Sequence, residues 1–437
     1  MEDEILYGGS RGGGKTDCGM VFMIEPKYIS HPRYRGLVIR RNADDLRDWI
    51  DRAEFLYKPT KAEFTGNPTE IRFPSGAKIR TGHLKDEKAY SKYQGHEYQK
   101  VLIEELTQIP REKDYEKLIG SCRSTVPILK PQVFATTNPD GDGYDWVKER
   151  FTIPDWPEKP VYQKRVTKDI KTDKLTTRTL VFIPSWLEDN KFLADDNSYV
   201  NYLNSIQDET LLKQWRLGSW EEPKIEGVFY AKQIARAIKE NRITNIPIQL
   251  SVPVDTVWDL GIGDSMAIWF FQCINKEVHL VHYLEGEGEG INYYAKEIKD
   301  WASEKEIVLG EHFMPHDAEV REQSDGVTRK EKAEGYGLKP LIVVPRDEHI
   351  EDGIDEARMF FNICYFDTVE CKEGLRALKH YKKELDEKRG IFKNRPVHDW
   401  SSHGSDAFRT LAKAYRLFKI GTSSGGLGLG KKKVKYS

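Results

Sequence analysis

The segment Gly9-Ser10-Arg11-Gly12-Gly13-Gly14-Lys15-Thr16 constrains this chain more than any other, because it fits G-x-x-x-x-G-K-[ST] between an apolar strand and a helical run. Glycines let backbone N–H groups turn onto phosphate oxygens with no Cβ in the way. Lys15 then reaches the outer phosphates, Thr16 offers a hydroxyl to magnesium, and the helix start adds the positive end of its dipole. Such a loop needs a strand behind it and parallel neighbours beside it. Residues 5–150 supply them, alternating short β-branched runs with polar helical stretches. Strands are expected at Ile5–Tyr7, Gly36–Arg40, Glu70–Phe73, Lys78–Thr81, Val101–Ile103 and Gln132–Thr136. The fold class expected here is α/β, a parallel-sheet P-loop NTPase domain of the ASCE type.

ATP hydrolysis also requires an acid on the magnesium side and a group that orients the attacking water. Val101-Leu102-Ile103-Glu104-Glu105 carries two carboxylates to the end of an apolar strand. Glu104 is expected to hold the magnesium shell and Glu105 to polarise the water. Val133 to Pro139 is a further strand ending in Thr136-Thr137-Asn138, and the C-terminal edge of a parallel sheet faces the nucleotide. Asn138 is expected to sense the γ-phosphate. The cofactors implied are ATP and Mg2+.

Residues 160–222 read as a Thr-rich hairpin followed by helices, an appendage that completes a first domain over 1–222. The hydrophobic pattern then weakens and Pro223, Pro247 and Pro253 recur, which places a hinge at 223–250. A second domain is expected over 251–420, with strands at 252–259, 266–273 and 277–284, a helix near 291–305, a strand ending at Asp317 and another at Leu341–Val344. Helices follow near 351–364 and from Ser402, the latter with Phe408, Leu411, Ala412 and Tyr415 in an apolar stripe. The end, 421–437, is a Gly/Ser-rich basic tail containing Lys431, Lys432, Lys433 and Lys435.

Three antiparallel strands, a helix, a parallel strand and a late acidic helix form the order of an RNase H-like fold. That order gathers Asp259, Asp317 and Asp406, which repel one another unless divalent cations neutralise them. Oxygen ligands suit magnesium or manganese. Two such ions would activate water and stabilise the leaving oxygen in phosphodiester cleavage. Taken singly, each acid is ordinary surface in a chain with 70 Asp and Glu residues, so the reading rests on joint placement. Asp264, Glu285, His316, Asp399 and His403 are secondary candidates. His398, Asp399 and His403 lack further His or Cys at zinc spacing.

At 437 residues the chain exceeds one ordinary domain, and its net charge of -2 advertises no nucleic-acid partner, so a basic surface must be local. Five cysteines show no CxxC pair, and no apolar run approaches the roughly 20 residues that span a bilayer. The acidic start lacks a signal-peptide pattern, so a soluble intracellular protein with reduced thiols is expected.

These motifs in this order resemble the large terminase subunit of tailed bacteriophages, over nearly the whole chain. The marks are the Arg-containing loop Gly8 to Thr16, Glu104-Glu105, Thr136-Thr137-Asn138, Gly218-Ser219-Trp220, Gly227-Val228-Phe229, Asp259, His316-Asp317 and Ser405-Asp406-Ala407. The resemblance implies that Lys15, Thr16, Glu104 and Glu105 carry ATP hydrolysis, Asn138 belongs to a coupling motif, and Asp259, Asp317 and Asp406 hold nuclease metals. It implies translocation of double-stranded viral DNA into a prohead and cutting of concatemers, in the cytoplasm of an infected bacterium. It also implies a homo-oligomeric ring on the portal protein and a small terminase partner, with no membrane role. Two departures stand out. Eight residues precede Gly9, which leaves either a later start of the chain or a different hold on adenine. The stretch Ser91 to Gly95 has no arginine for a neighbour's γ-phosphate; Arg123 is the candidate, with Arg11, Arg40 and Arg41 as alternatives. The competing function is a host DNA repair or defence ATPase fused to a nuclease. A helicase of that kind needs two RecA-like lobes, and only one fits before residue 250.

Overall fold

The structure, a computed structural model, describes residues 2–85, 87–222, 227–261, 265–321, 326–386 and 391–418. Asp264, Pro223 and the tail 421–437 lie outside the described residues. The chain divides into two units, Met1–Lys224 and Ile225–Ser437.

The first unit is built on nine strands: β1 Glu4–Gly9, β2 Arg35–Arg40, β3 Glu63–Thr65, β4 Glu70–Arg72 and β5 Lys78–His83, then β6 Lys100–Ile103, β7 Gln132–Thr137, β8 Val161–Lys168 and β9 Leu175–Ser185. They form one sheet in the order β3-β4-β5-β2-β6-β7-β1-β9-β8. From β5 to β9 every neighbouring pair is parallel. One strand, β7, stands between the phosphate-loop strand β1 and the acidic strand β6, the arrangement of an ASCE-type P-loop NTPase. Its central parallel strands β2, β6, β7 and β1 are buried on both faces, as parallel sheets are. Leu6, Leu37, Ile39, Val101, Ile103 and Val133 enter one core, while Ile5, Val38, Leu102 and Phe134 enter the other.

The hairpin read as an appendage is corrected by the sheet. Its second strand, β9, pairs parallel with β1, Leu6 opposite Phe182, so residues 180–185 flank the phosphate-loop strand directly. The hairpin's antiparallel half, β8, becomes the edge.

The second unit carries a seven-stranded sheet from β10 Ile243–Thr244, β11 Val254–Asp259, β12 Ser265–Ile274, β13 Glu277–Glu287, β14 Leu309–Pro315, β15 Leu341–Val344 and β16 Cys364–Asp367. The order is β10-β16-β13-β12-β11-β14-β15. β11, β12 and β13 are antiparallel neighbours, whereas β14 and β15 run parallel to β11. That is the RNase H-like arrangement. Alternation again fills two cores: Ala267, Trp269 and Phe271 on one face, Met266, Ile268 and Phe270 on the other. The expected stripe on the helix Ser402–Phe418 packs into the first of these through Phe408, Leu411, Ala412 and Tyr415. The same unit also carries a small hairpin, β17 Lys383–Asp386 with β18 Ile391–Pro396.

The stretch expected as a hinge is structured over much of its length. Phe229, Tyr230 and Ile234 are buried in a core of the second unit, and β10 pairs with β16. The prolines at 247 and 253 bracket a connection between β10 and β11, inside this unit.

One buried ion pair sits under the first sheet. Glu4 is fully buried, and its carboxylate accepts from Arg150 Nε and Nη2, both at 3.0 Å, and from Tyr115 Oη at 2.8 Å. Removing one partner of such a pair strands the other charge, a cost of about 3–5 kcal/mol. Here Arg150 also pairs with Glu112 and Glu116, and Arg178 with Glu4, so Glu4→Gln leaves Arg150 partnered and is expected to lower first-unit stability by about 1–3 kcal/mol in urea unfolding.

Candidate functional site

The strand register brings the sequence motifs of the first unit to one edge. Leu6 pairs with Ala135, and Ala135 with Ile103, so β1, β7 and β6 end level. Residues 11–16, Glu104, Glu105 and Asn138 all line one cleft of about 530 Å³, within the range of small-ligand sites. Gly9 and Ser10 stand behind it, with Ser10 N donating to the Ser185 carbonyl at 2.9 Å. Gly12 and Gly14 have φ of 85° and 75°, left-handed values that glycine adopts freely and that turn the loop's amides inward.

Lys15 is buried, and its ammonium donates to the Ser10 carbonyl. Burial pulls its pKa down to about 8, against the upward pull of Glu105, Asp140 and Glu104. Thr16 Oγ1 donates to Glu104 Oε2 at 3.1 Å. Glu104 is 1% exposed, and burial, with Glu105 beside it, raises its carboxyl to about 7. Its Oε1 is buried with no hydrogen-bond partner among the described residues. A buried, unpartnered carboxylate oxygen beside a hydroxyl fits a hard divalent cation.

Glu105 adopts a left-handed φ of 56°, a strain of about 1–3 kcal/mol that non-glycine residues accept chiefly at functional positions. Its backbone N–H donates to Thr136 Oγ1 at 3.2 Å, and its carboxylate accepts from Asn138 Nδ2 at 3.3 Å. The two motifs expected to communicate thus touch directly.

Of the arginine candidates, Arg11, Arg40 and Arg41 line this cleft. Arg11 lies over the Trp215 ring, 3.1 Å from its centroid, and the indole N–H donates to Asp140 Oδ2 at 2.8 Å. Arg41 pairs with Asp142 at 3.0 Å, and Arg40 donates to the Asp45 carbonyl at 2.8 Å. Arg123 is exposed, outside the lining of the cleft, and donates to the Gly95 carbonyl at 3.4 Å.

In the second unit, Asp259 is the last residue of β11, and Asp406 lies in the helix Ser402–Phe418. Asp317 sits in the short turn His316–Glu319, just past the end of β14 at Pro315 rather than on the strand itself. All three line one cleft of about 240 Å³. Each carboxylate is held by a neighbour. His403 Nδ1 meets Asp259 at 3.1 Å, His316 Nε2 meets Asp317 at 2.6 Å, and Arg409 Nη2 meets Asp406 at 2.9 Å. Tyr381 Oη also donates to Asp406, at 3.0 Å. Burial raises the Asp259 carboxyl, and Asp406 pushes the same way against the pull of His403. Burial would lower His403, but Asp259 outweighs it and the imidazole is raised.

Among the described residues, no three His, Cys, Asp or Glu side chains are gathered tightly enough to enclose an ion. Asp259, Asp317 and Asp406 therefore converge at the scale of the cleft, each turned toward a local hydrogen-bond donor. Three carboxylates remain an oxygen donor set suited to magnesium or manganese. Of the secondary candidates, His316 and His403 join this cluster. Asp399 instead accepts from Ser401 N and Oγ at 2.8 and 2.6 Å, ahead of the last helix, and Glu285 accepts from Tyr283 Oη at 2.6 Å. Sequence reasoning missed Arg409, Tyr381, Trp215 and Asp140. Only the i,i+3 spacing of Asp406 and Arg409 on one helix offered a local signal.

Residues 2–218 match the family described as phage terminase large subunit. No curated protein matches the chain. Among solved structures, the large terminase of a thermophilic bacteriophage in complex with ADP is similar at 17% identity and a TM-score of 0.39, over 95% of this chain and 94% of that one. The ATPase domain of the Thermus phage P74-26 large terminase is 13% identical, with a TM-score of 0.33 over 51% of this chain and 90% of that one. The large terminase nuclease domain of bacteriophage SPP1 with bound Mn is 13% identical, with a TM-score of 0.28 over 38% and 86%.

Glu104 generates a pH-dependent expectation. Its folded pKa of about 7 lies above the ordinary 4.5, so the stability its neutral form contributes is present below 4.5 and lost as pH rises through 7. In EDTA and without nucleotide, Glu104→Gln should raise the melting temperature by several degrees at pH 8 and change it little near pH 4.5. An equal effect at both pH values would contradict the burial of this charge.

Proposed function

We propose that this chain, which through residues 2–218 belongs to the phage terminase large-subunit family, hydrolyses ATP in its first unit to move double-stranded viral DNA into a prohead and cuts that DNA in its second. One observation carries the reading: a single chain holds both a phosphate-loop cleft, in which Glu105 touches Asn138, and a separate cleft lined by Asp259, Asp317 and Asp406.

In the first cleft the loop amides of Gly12, Gly13 and Gly14 and the ammonium of Lys15 hold the phosphates. The triphosphate's charge favours the protonated lysine and offsets the cost of burying it. Thr16 and Glu104 would hold Mg2+, which when bound draws charge from the phosphate oxygens. Glu105 orients the attacking water and accepts its proton. Because Asn138 donates to that same carboxylate, a change at Glu105 reaches the end of β7 without an intermediary. Arg123, exposed on this unit, is the residue offered to a neighbouring copy in a ring.

In the second cleft Asp259, Asp317 and Asp406 would hold Mg2+ or Mn2+, which when bound activates water and stabilises the leaving oxygen of the phosphodiester. His403, His316 and Arg409 now lie against those carboxylates, so metal loading is a competition against protein donors. The DNA is gripped through its phosphates, in a sequence-tolerant and salt-sensitive way. The working partners are the portal protein and a small terminase subunit, in the cytoplasm of an infected bacterium. The motor is assigned to the first unit and the nuclease to the second, which takes in Phe229, Tyr230 and β10 as well as the residues from 251 onward.

Lys15→Ala and Glu105→Ala should each cut ATP turnover by at least about 100-fold while leaving metal-dependent plasmid cleavage intact. Asp259→Ala or Asp406→Ala should do the reverse. A single substitution that removes both activities from a folded protein would sink the two-cleft reading.

A further inference from the structure

The first cleft is charged or polar nearly all round. Among its lining side chains only Leu193 and Tyr199 are apolar or aromatic. Both come from the segment that follows β9, on the helices Lys191–Ala194 and Asn197–Asn204. This segment is fastened to the phosphate loop. Asn190 Nδ2 donates to the Gly12 carbonyl at 2.8 Å, and the same side chain caps the first of the two helices through Phe192 N. A Cβ at Gly12 would lie 2.6 Å from Leu187, 3.1 Å from Tyr199 and 3.4 Å from Leu193, so the loop and these side chains are already in contact. The neighbouring Arg11 is fixed from the other side, its guanidinium on Trp215 and its N–H on the Trp215 carbonyl at 2.7 Å.

A nucleoside triphosphate has one highly charged end and one flat, weakly polar end. Lys15, Thr16 and the loop amides suit the first. The second needs a surface on which a ring face leaves water, and Leu193 and Tyr199 are the lining groups that offer one. We propose that Leu193 and Tyr199 form the base-binding end of the cleft and hold the purine ring of the nucleotide. The inference rests on the nucleotide reading of this cleft. Tyr199 acts through its ring face rather than its hydroxyl, so phenylalanine serves equally well in its place.

The test is calorimetric titration of the full chain with MgATP and, separately, with magnesium tripolyphosphate, for the wild type, Tyr199→Ala and Tyr199→Phe. Loss of a stacking face should weaken ATP binding by about tenfold or more in Tyr199→Ala. Tripolyphosphate binding should stay unchanged, and Tyr199→Phe should match the wild type for both. Unchanged ATP affinity in Tyr199→Ala overturns the inference. So does an equal loss for ATP and tripolyphosphate, which would make Tyr199 a support of the loop, or a wild type that binds ATP no more tightly than tripolyphosphate. A wild type that binds neither ligand refutes the nucleotide reading itself, a failure distinct from the others.

Discussion

Both clefts answer to one constraint: carboxylates delivered to the end of a sheet that is buried on both faces must be neutralised where they stand. Side chains along β6 and β11 fill two cores, so their acids lie where the strand stops, at the boundary between dry interior and solvent. An unpaired charge there is expensive. Glu104 meets the cost by holding its proton up to about pH 7 and by accepting from Thr16. Asp259 and Asp406 meet it with His403 and Arg409. A ligand that brings positive charge relieves the same cost, and so the constraint that shapes each cleft also selects what binds there.

In the first unit the consequences are mechanical as well as electrostatic. Glu105 is bonded to Thr136 on β7 and to Asn138 just past it, so this acid and the end of the neighbouring strand are joined directly. On the other side, Arg11 of the loop stacks on Trp215, and Trp215 is bonded to Asp140 just past β7. The loop, the strand-end acids and the segment leading to Gly218-Ser219-Trp220 therefore form one connected set of contacts. Two sets of contacts lead away from the phosphate loop and the strand-end acids, one through Asn138 and one through Trp215.

The strands β1, β2, β6 and β7 were legible in the sequence as short apolar runs because each buries both faces, and the phosphate loop was legible because its glycines do local conformational work. The second sheet was legible in order for the same reason. Other features depend on partners far away in sequence. β9 looked like half of a self-sufficient hairpin, since nothing local marks a parallel pairing with β1. Prolines near 223–253 suggested a free connection, yet Phe229 and Tyr230 are buried in a core built from residues far along the chain, such as Phe361 and Phe408. The three acids of the second cleft could be placed by element order. That His403 would hold Asp259 could not, because this pairing follows from tertiary approach, whereas Arg409 lies three residues beyond Asp406 on the same helix and its pairing was available from spacing.

The most direct test of the central claim, that Asp259, Asp317 and Asp406 act together as a metal-dependent cutting site apart from the ATP cleft, is plasmid cleavage by the full chain in Mn2+ without nucleotide. It is run beside the same reaction in EDTA and beside the folded Asp317→Ala variant. The account predicts cutting that disappears in EDTA and in the variant. Cutting by Asp317→Ala at the wild-type rate would contradict it.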